Sequence, residues 1–321
     1  MDPLAYRLLN DWQRDFPLRP SPFREVGLVM AVTEETVIEA YRGLLADGTL
    51  SRIGAVFRPN TVGASALAAL AAPAERLAEV AALVSAQPEV NHNYEREHRW
   101  NLWFVVTAAD KAGVAAALDR IESLCGLVAL RLPLEEEFHI DLGFDLANGS
   151  VPRGEPPPVE RVTLSEREAR LVAALEHGLP LVSRPFEELG RMAGFSERQV
   201  MATLSGWIGR GVVRRFGTVV RHRSLGYRAN AMVVWDVPDG EAGAAGRRLA
   251  ALPEVTLCYR RARQLPDWPY NLFCMIHGKE RAAVARAIED ATQAAGLDGR
   301  RREVLFSGAC FAQKGARYAH G

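Results

Sequence analysis

Apolar positions in the first fifty residues recur with the helical period. Leu4, Leu8, Leu9 and Trp12 fall along one segment that opens with Asp2-Pro3, a good N-cap and N1 pair. A short helix near 23–30 follows. Thr33 then caps a third helix in which Val37, Ile38, Tyr41, Leu44 and Leu45 share a face. Asp47-Gly48 ends it, and alternation over Leu50–Arg58 predicts a strand pair, so three helices and a β-wing make a winged helix-turn-helix. The period then drops to two. Residues 65–72, 90–95, 100–107, 127–131 and 137–144 read as strands and 74–86 and 110–124 as helices, a ferredoxin-like βαββαβ order. In the last strand Phe138, Ile140, Leu142 and Phe144 alternate with His139, Asp141 and Gly143, which predicts one buried face.

The same pattern is then written again. Pro22-Phe23 with Glu25-Val26-Gly27 recurs 163 residues later as Pro185-Phe186 with Glu188-Leu189-Gly190. At that offset Arg52, Gly54 and Arg58 meet Arg215, Gly217 and Arg221, and further on Tyr94 answers Tyr259 and Asn101-Leu102 answers Asn271-Leu272. The fold class is therefore α+β, a tandem duplication of winged helix-turn-helix plus ferredoxin-like domain. The expected boundaries are 1–60 and 61–147 for the first copy, and 161–222 and 223–321 for the second. Between them lies a Gly/Pro-rich linker at 148–160, NGSVPRGEPPPVE.

Composition narrows the function. Lys+Arg and Asp+Glu balance at 39 each, without the basic excess usual in a nucleic-acid binder. The first helix-turn-helix recognition segment, TEETVIEAYRGLLAD, sets Glu34, Glu35, Glu39 and Asp47 against Arg42 alone, which phosphate would repel. Cys125, Cys258, Cys274 and Cys310 form no CxxC pair and read as thiols of a reducing compartment. No apolar run approaches the roughly 18 residues of a membrane span, so a cytoplasmic protein is expected, with no membrane partner and no DNA. No glycine-rich nucleotide loop and no metal-ligand set is visible, so neither metal nor cofactor is expected.

The second copy's PFEELGRMAGFSERQVMATLSGWIGRGVVRRFGTVV resembles an Lrp/AsnC regulator head, and the α/β half that follows resembles its ligand-sensing domain. More specifically, HNYEREHRWNLWF at 92–104, after RIGAVFRPNTVG at 52–63, resembles the siroheme decarboxylases, Lrp-like enzymes whose two halves are often separate subunits. The resemblance implies removal of carbon dioxide from two acetate arms of siroheme, giving 12,18-didecarboxysiroheme in haem d1 synthesis. The iron would enter with this tetrapyrrole substrate. It also leaves room for companion decarboxylase subunits and a homo-oligomer. The alternative is a ligand-responsive DNA-binding regulator of Lrp/AsnC type.

For that chemistry His92 and His98, six residues apart on a strand arm, are expected on one face as proton donors, with Tyr94 orienting them. Leu257 stands where the second copy would repeat His92, so one competent site is expected. Arg52, Arg58, Arg96, Arg99, Arg215, Arg221 and Arg261 recur between copies or lie beside such positions, and are expected to bind substrate carboxylates. His222 and Tyr259 are further pocket candidates, His139 reads as an outer-sheet residue, and His177, His277 and His320 lack supporting context.

Overall fold

The computed structural model describes residues 1–140, 143, 162–316 and 318. The first half runs α1 (Pro3–Asn10), α2 (Pro22–Met30), α3 (Glu34–Ala46), β1 (Leu50–Phe57), β2 (Ala64–Leu70), α4 (Leu77–Ala86), β3 (Val90–Arg96), β4 (Leu102–Ala108), α5 (Lys111–Cys125) and β5 (Leu130–Ile140). The second runs α6 (Glu166–Glu176), α7 (Pro185–Ala193), α8 (Glu197–Gly209), β6 (Val213–Val220), β7 (Ala229–Trp235), α9 (Asp239–Ala250), β8 (Val255–Arg261), β9 (Leu272–Gly278), α10 (Arg281–Ala294) and β10 (Arg302–Gln313). Side chains set the helix starts. The Asp2 carboxylate accepts the Ala5 N–H at 3.1 Å, Thr33 accepts from Thr36, and Ser196 with Gln199 closes a reciprocal cap on α8. The expected linker at 148–160 lies outside the described residues.

The wing departs from expectation. Leu50–Arg58 is no local strand pair: β1 is a single strand, and its antiparallel partner is β6 of the other half. Gly54 lies opposite Gly217, Ile53 opposite Thr218, and Ala55 opposite Phe216. Gly54 and Gly217 are themselves equivalent positions, 163 residues apart, so an internal two-fold axis passes between them. Each wing strand thus has its edge covered by its own duplicate. A Cβ on Gly217 would fall 2.3 Å from the Trp12 carbonyl oxygen, and the Thr218 N–H donates to that same carbonyl at 2.8 Å. The helices of both heads close over this ribbon in one core, where Leu8, Phe23 and Tyr41 join Leu171, Phe186 and Trp207. Each such fully buried side chain stabilises by about 1.5–3 kcal/mol, so the two heads hold each other.

Below the heads, eight strands close into a barrel in the order β10-β3-β4-β2-β5-β8-β9-β7. Each half contributes four strands. The seams form because the last strand of each half pairs with the second sheet strand of the other, β5 with β8 and β10 with β3. Period-two alternation sorts the faces. On β9, Leu272, Cys274 and Ile276 pack under α9 and α10, while Phe273 and Met275 point inward with Leu67, Trp103 and Leu305.

Two expectations fail at β5. The strands placed at 127–131 and 137–144 are one strand, and its outer half has two register shifts, between Leu134 and Glu136 and between Glu137 and His139. Phe138 consequently packs on the helix-side core at Gly246, whereas Ile140 joins the barrel interior, so they do not share a face. Asp141, Leu142 and Phe144 lie outside the described residues.

Gly217→Ala is expected to cost about 1–3 kcal/mol of unfolding free energy, because its methyl would meet backbone rather than a movable side chain. Gly206→Ala in α8, where a Cβ meets nothing within 4 Å, should leave stability unchanged or raise it by about 0.5–1 kcal/mol. Denaturant midpoints read both, and an equal response would mean that β6 does not press on the Trp12 backbone.

Candidate functional site

Two chambers are stacked along the internal axis. The outer one, about 180 Å³, lies between the β1–β6 ribbon and the barrel mouth. Its lining contains equivalent pairs, Ser51 with Arg214, Val56 with Val219, and Ile140 with Gln313. The inner one, about 170 Å³, lies within the barrel and is lined by Leu67 with Met232, Tyr94 with Tyr259, and Val105 with Met275. His92 and Gln313 line both chambers and are paired across β3 and β10. The cavity therefore straddles a symmetry that the sequence breaks: His92 is matched by Leu257, Arg214 by Ser51, and Gln313 by Ile140.

His92, Tyr94 and Arg96 alternate along β3 and all line the inner chamber. The His92 ring stacks on Tyr94 at 6.0 Å with planes 15° apart. Burial, reinforced by the charge of Arg52, pulls the His92 pKa down to about 4, so the ring is neutral near pH 7. His98 does not join it. β3 ends at Arg96, whose N–H donates to the Asn101 carbonyl at 2.8 Å to start the hairpin turn, and His98 sits in that turn. Its Nδ1 accepts the Trp100 N–H at 3.1 Å, its ring meets Trp268 edge-on at 5.7 Å, and it lines neither chamber. Burial lowers its pKa, with the Glu303 charge opposing.

A histidine without sequence support takes the vacant place. His277 on β9 lines the inner chamber, two residues beyond Met275 on the same face. The Thr256 hydroxyl donates to the Met275 carbonyl at 3.0 Å and lies 2.7 Å from His277 Nδ1. With that hydroxyl proton committed, Nδ1 must be the donor, and a neutral ring keeps its lone pair on Nε2. The alternation Phe273, Met275, His277 was the available signal.

The arginines divide. Arg52, Arg96 and Arg215 line the chambers, whereas Arg58, Arg99, Arg221 and Arg261 line neither. Their recurrence has a structural cause. Arg52 donates to the Ala55 carbonyl at 3.2 Å and Arg215 to the equivalent Thr218 carbonyl at 2.8 Å. Arg96 donates to Leu305 of β10 at 3.1 Å and Arg261 to Leu132 of β5 at 2.7 Å, so each staples its half to the other. Arg99 is exposed and donates to the Asp267 carbonyl at 2.8 Å, and the Arg58 Nε lies 3.5 Å from Glu137. Arg221, just past β6, donates its N–H to the Thr49 carbonyl at 2.8 Å. Tyr259 does line the inner chamber, stacked on Phe273 with Arg261 over its ring at 4.6 Å. The His222 side chain lies outside the described residues.

Arg214 was missed because its equivalent is Ser51. It lines the outer chamber and pairs with Glu137. Among the described residues no cluster of three or more His, Cys, Asp or Glu is placed to hold a metal, and no helix is long and apolar enough to cross a membrane.

Two families match this chain twice over. The AsnC-like ligand binding domain covers residues 62–139 and 224–312, and the siroheme decarboxylase NirDL-like HTH domain covers 6–50 and 168–214. The chain is 45% identical over 320 residues to the siroheme decarboxylase NirDL subunit of Paracoccus denitrificans, spanning 99% of this chain and 98% of that one. The siroheme decarboxylase NirD subunit of Pseudomonas aeruginosa is 49% identical over 146 residues, which is 46% of this chain and 97% of its own length. The crystal structure of the siroheme decarboxylase NirDL in co-complex with an iron-uroporphyrin III analogue matches with a TM-score of 0.70 at 27% identity, over 99% of this chain and 94% of that one.

Arg261→Ala strands the Leu132 carbonyl at a seam and should cost about 1–3 kcal/mol of stability. Arg99→Ala, at an exposed site, should stay within about 0.5 kcal/mol. Chemical denaturation of both variants checks this, and a neutral Arg261→Ala would show that the seam does not depend on its arginine.

Proposed function

This chain belongs to the siroheme decarboxylase family, with both halves in one polypeptide, and from that premise we propose that its axial chambers remove carbon dioxide from two acetate arms of siroheme. The product would be 12,18-didecarboxysiroheme, for haem d1 synthesis, by a carboxy-lyase reaction that draws no cofactor from the protein. The observation that carries this reading is the position of His92, at the junction of a cationic outer chamber and an aromatic, thioether-lined inner one.

The inner chamber suits the arm that reacts. Leu67, Val105, Met232 and Met275 offer a carboxylate little stabilisation relative to the spread charge of the transition state, and the Arg96 guanidinium in the same lining is directed to the Leu305 carbonyl and the Ser307 hydroxyl. The bond between the arm's methylene carbon and its carboxylate breaks, CO₂ leaves, and the electron pair stays on the methylene carbon, where the conjugated macrocycle delocalises it. His92 then gives that carbon a proton, forming the methyl group, and recovers a proton from solvent. Arg52, beside His92 in the outer chamber, holds a carboxylate that does not react, and that binding energy fixes the ring's position. Tyr94, stacked on His92, keeps the imidazole aimed. The chambers are smaller than the roughly 300–1,000 Å³ of sites for sizeable ligands, so the ring must spread them, and the partition contains the flexible Gln313 side chain.

Substrate also supplies the acid form of His92. Burial and the charge of Arg52 keep the ring neutral by themselves. Arriving carboxylates neutralise Arg52 and add negative charge, which raises the imidazole pKa. Binding therefore takes up a proton. The heads offer DNA little: on α3 the Arg42 guanidinium donates to the Leu181 carbonyl at 3.1 Å, and Glu34 accepts from Ser183. Relatives named as subunits support a companion chain, which would show as turnover that rises when a half-length relative is added to this one.

Anaerobic incubation with siroheme followed by mass spectrometry should show loss of two CO₂, and an unchanged mass would sink the proposal. His92→Ala should lower kcat by about 10²–10⁴ with a smaller change in KM. His98→Ala should retain most of the turnover, its ring being spent on the hairpin. If His98→Ala is the dead variant and His92→Ala is active, the acid has been misassigned.

Because bound carboxylates raise the His92 pKa from its free value of about 4, affinity should rise as pH falls through the raised value, above the range in which the substrate carboxylates themselves protonate. Calorimetry in buffers of different ionisation enthalpy should register that proton, and His92→Gln should abolish it. Proton release, or uptake unchanged in the variant, would refute the coupling.

A further inference from the structure

A cavity on a two-fold axis poses a problem for a ring with carboxylates on every side. Such a ring enters equally well in two orientations related by the axis, yet His92 stands on one side only, with Leu257 on the other. For the arm that reacts first only one orientation is productive, so something must break the tie. The arginines shared by the halves break it less sharply, since each side carries a guanidinium: Arg52 and Arg215 occupy equivalent places and bond the Ala55 and Thr218 carbonyls, Arg215 also reaching the Gln13 carbonyl at 2.6 Å. Val56 and Val219 are identical.

We infer that Arg214 is the positioning residue that sets which way round the macrocycle lies: in the outer chamber it takes one carboxylate arm of the substrate, on one side of the axis. This deepens the proposed function and rests on it. Three observations carry it. Arg214 faces the outer chamber, where its equivalent is the uncharged Ser51. Its partner Glu137 is shared, since the Arg58 Nε also approaches that carboxylate at 3.5 Å. In the other half the residue equivalent to Glu137 is Cys310, so among the described residues this charged cluster has no counterpart across the axis.

The local charge favours an added anion. One carboxylate serves two guanidiniums, and burial, with the charges of Arg58, Arg14 and Arg215 adding to it, draws the Arg214 pKa down to about 9. Arg214 remains charged near pH 7, and a second carboxylate would relieve the crowding of cations. A guanidinium has two edges and five donors, so it can keep Glu137 on one side and accept a substrate arm on the other. Glu176, which also lines the outer chamber, accepts the Tyr318 N–H at 2.7 Å, and its charge acts on Arg52. The chamber's volume suits a side arm, not the ring.

Arg214→Ser gives the second half the residue of the first, and the full chain is titrated with iron uroporphyrin III by its visible absorption. Affinity should fall about ten- to a hundredfold. Affinity for an iron porphyrin bearing only two propionates should change far less. Siroheme turnover should shift from one mono-decarboxylated isomer to a mixture, resolved by chromatography, a change that a general loss of stability would not produce. The exchanged variant Ser51→Arg with Arg214→Ser should regain the affinity but not the turnover, since the ring is then held reversed relative to His92.

Arg214→Lys keeps charge and volume if the serine variant folds poorly, and should show an intermediate loss. Unchanged affinity and an unchanged isomer ratio in Arg214→Ser overturn the inference. An exchanged variant that regains neither property overturns the orientation role. A wild-type chain that neither binds iron uroporphyrin nor alters siroheme would instead defeat the proposed function, so the two failures are distinguishable.

Discussion

The rest of the structure depends on strand pairing between the halves. β1 has no partner in its own half and finds one in β6, with Gly54 against Gly217 on the axis. The same exchange recurs in the barrel, where β5 pairs with β8 and β10 with β3. Neither half could close its sheet alone, because each would leave two long edges open to solvent and to aggregation. Closing them against each other creates a central space that belongs to neither half. The chambers are a consequence of that closure, which is why their linings come in equivalent pairs.

Duplication explains which parts of the molecule were readable from sequence. Helix starts at Asp2, Thr33 and Ser196 depend on neighbours within four residues, and the period-two runs that form the barrel are equally local. The wing was misread because its partner lies some 160 residues away in the chain and nothing in Leu50–Arg58 names it. The two register shifts in β5 were equally invisible, since a bulge changes which face a residue takes without changing composition. His277 was legible in principle, being in step with Phe273 and Met275. It was passed over because an isolated histidine carries no signal until its strand face is known to line a cavity.

Recurrence itself proved a two-edged guide to the site. Arg52 with Arg215, and Arg96 with Arg261, recur because both halves need the same carbonyl held at the same place. A buried arginine bonded to backbone is part of the frame, whatever else it touches. Chemistry that must happen on one side of the axis is written where the halves disagree: His92 against Leu257, Arg214 against Ser51, Glu137 against Cys310. Comparing the halves for likeness finds the scaffold, and comparing them for difference finds the candidate site.

The heads fit this logic as parts of the enclosure. β1 and β6 line the outer chamber through Arg52, Val56, Arg214 and Val219, and the helices above them share one core. A DNA-reading pair of heads must present two independent basic faces at a fixed spacing. Here Arg42 reaches across to the Leu181 carbonyl and Ser183 to Glu34, so one head is bonded to the other where the recognition helix of the first begins and where its single base lies. Zero net charge on the whole chain is then no obstacle to binding a polyanion, because the cations that matter are gathered inside. Burial and the charges of Arg58, Arg14 and Arg215 together lower the Arg214 pKa, beneath a surface whose carboxylates balance the sum. A winged helix-turn-helix has become a roof, and its wing strands furnish the chamber's positive wall.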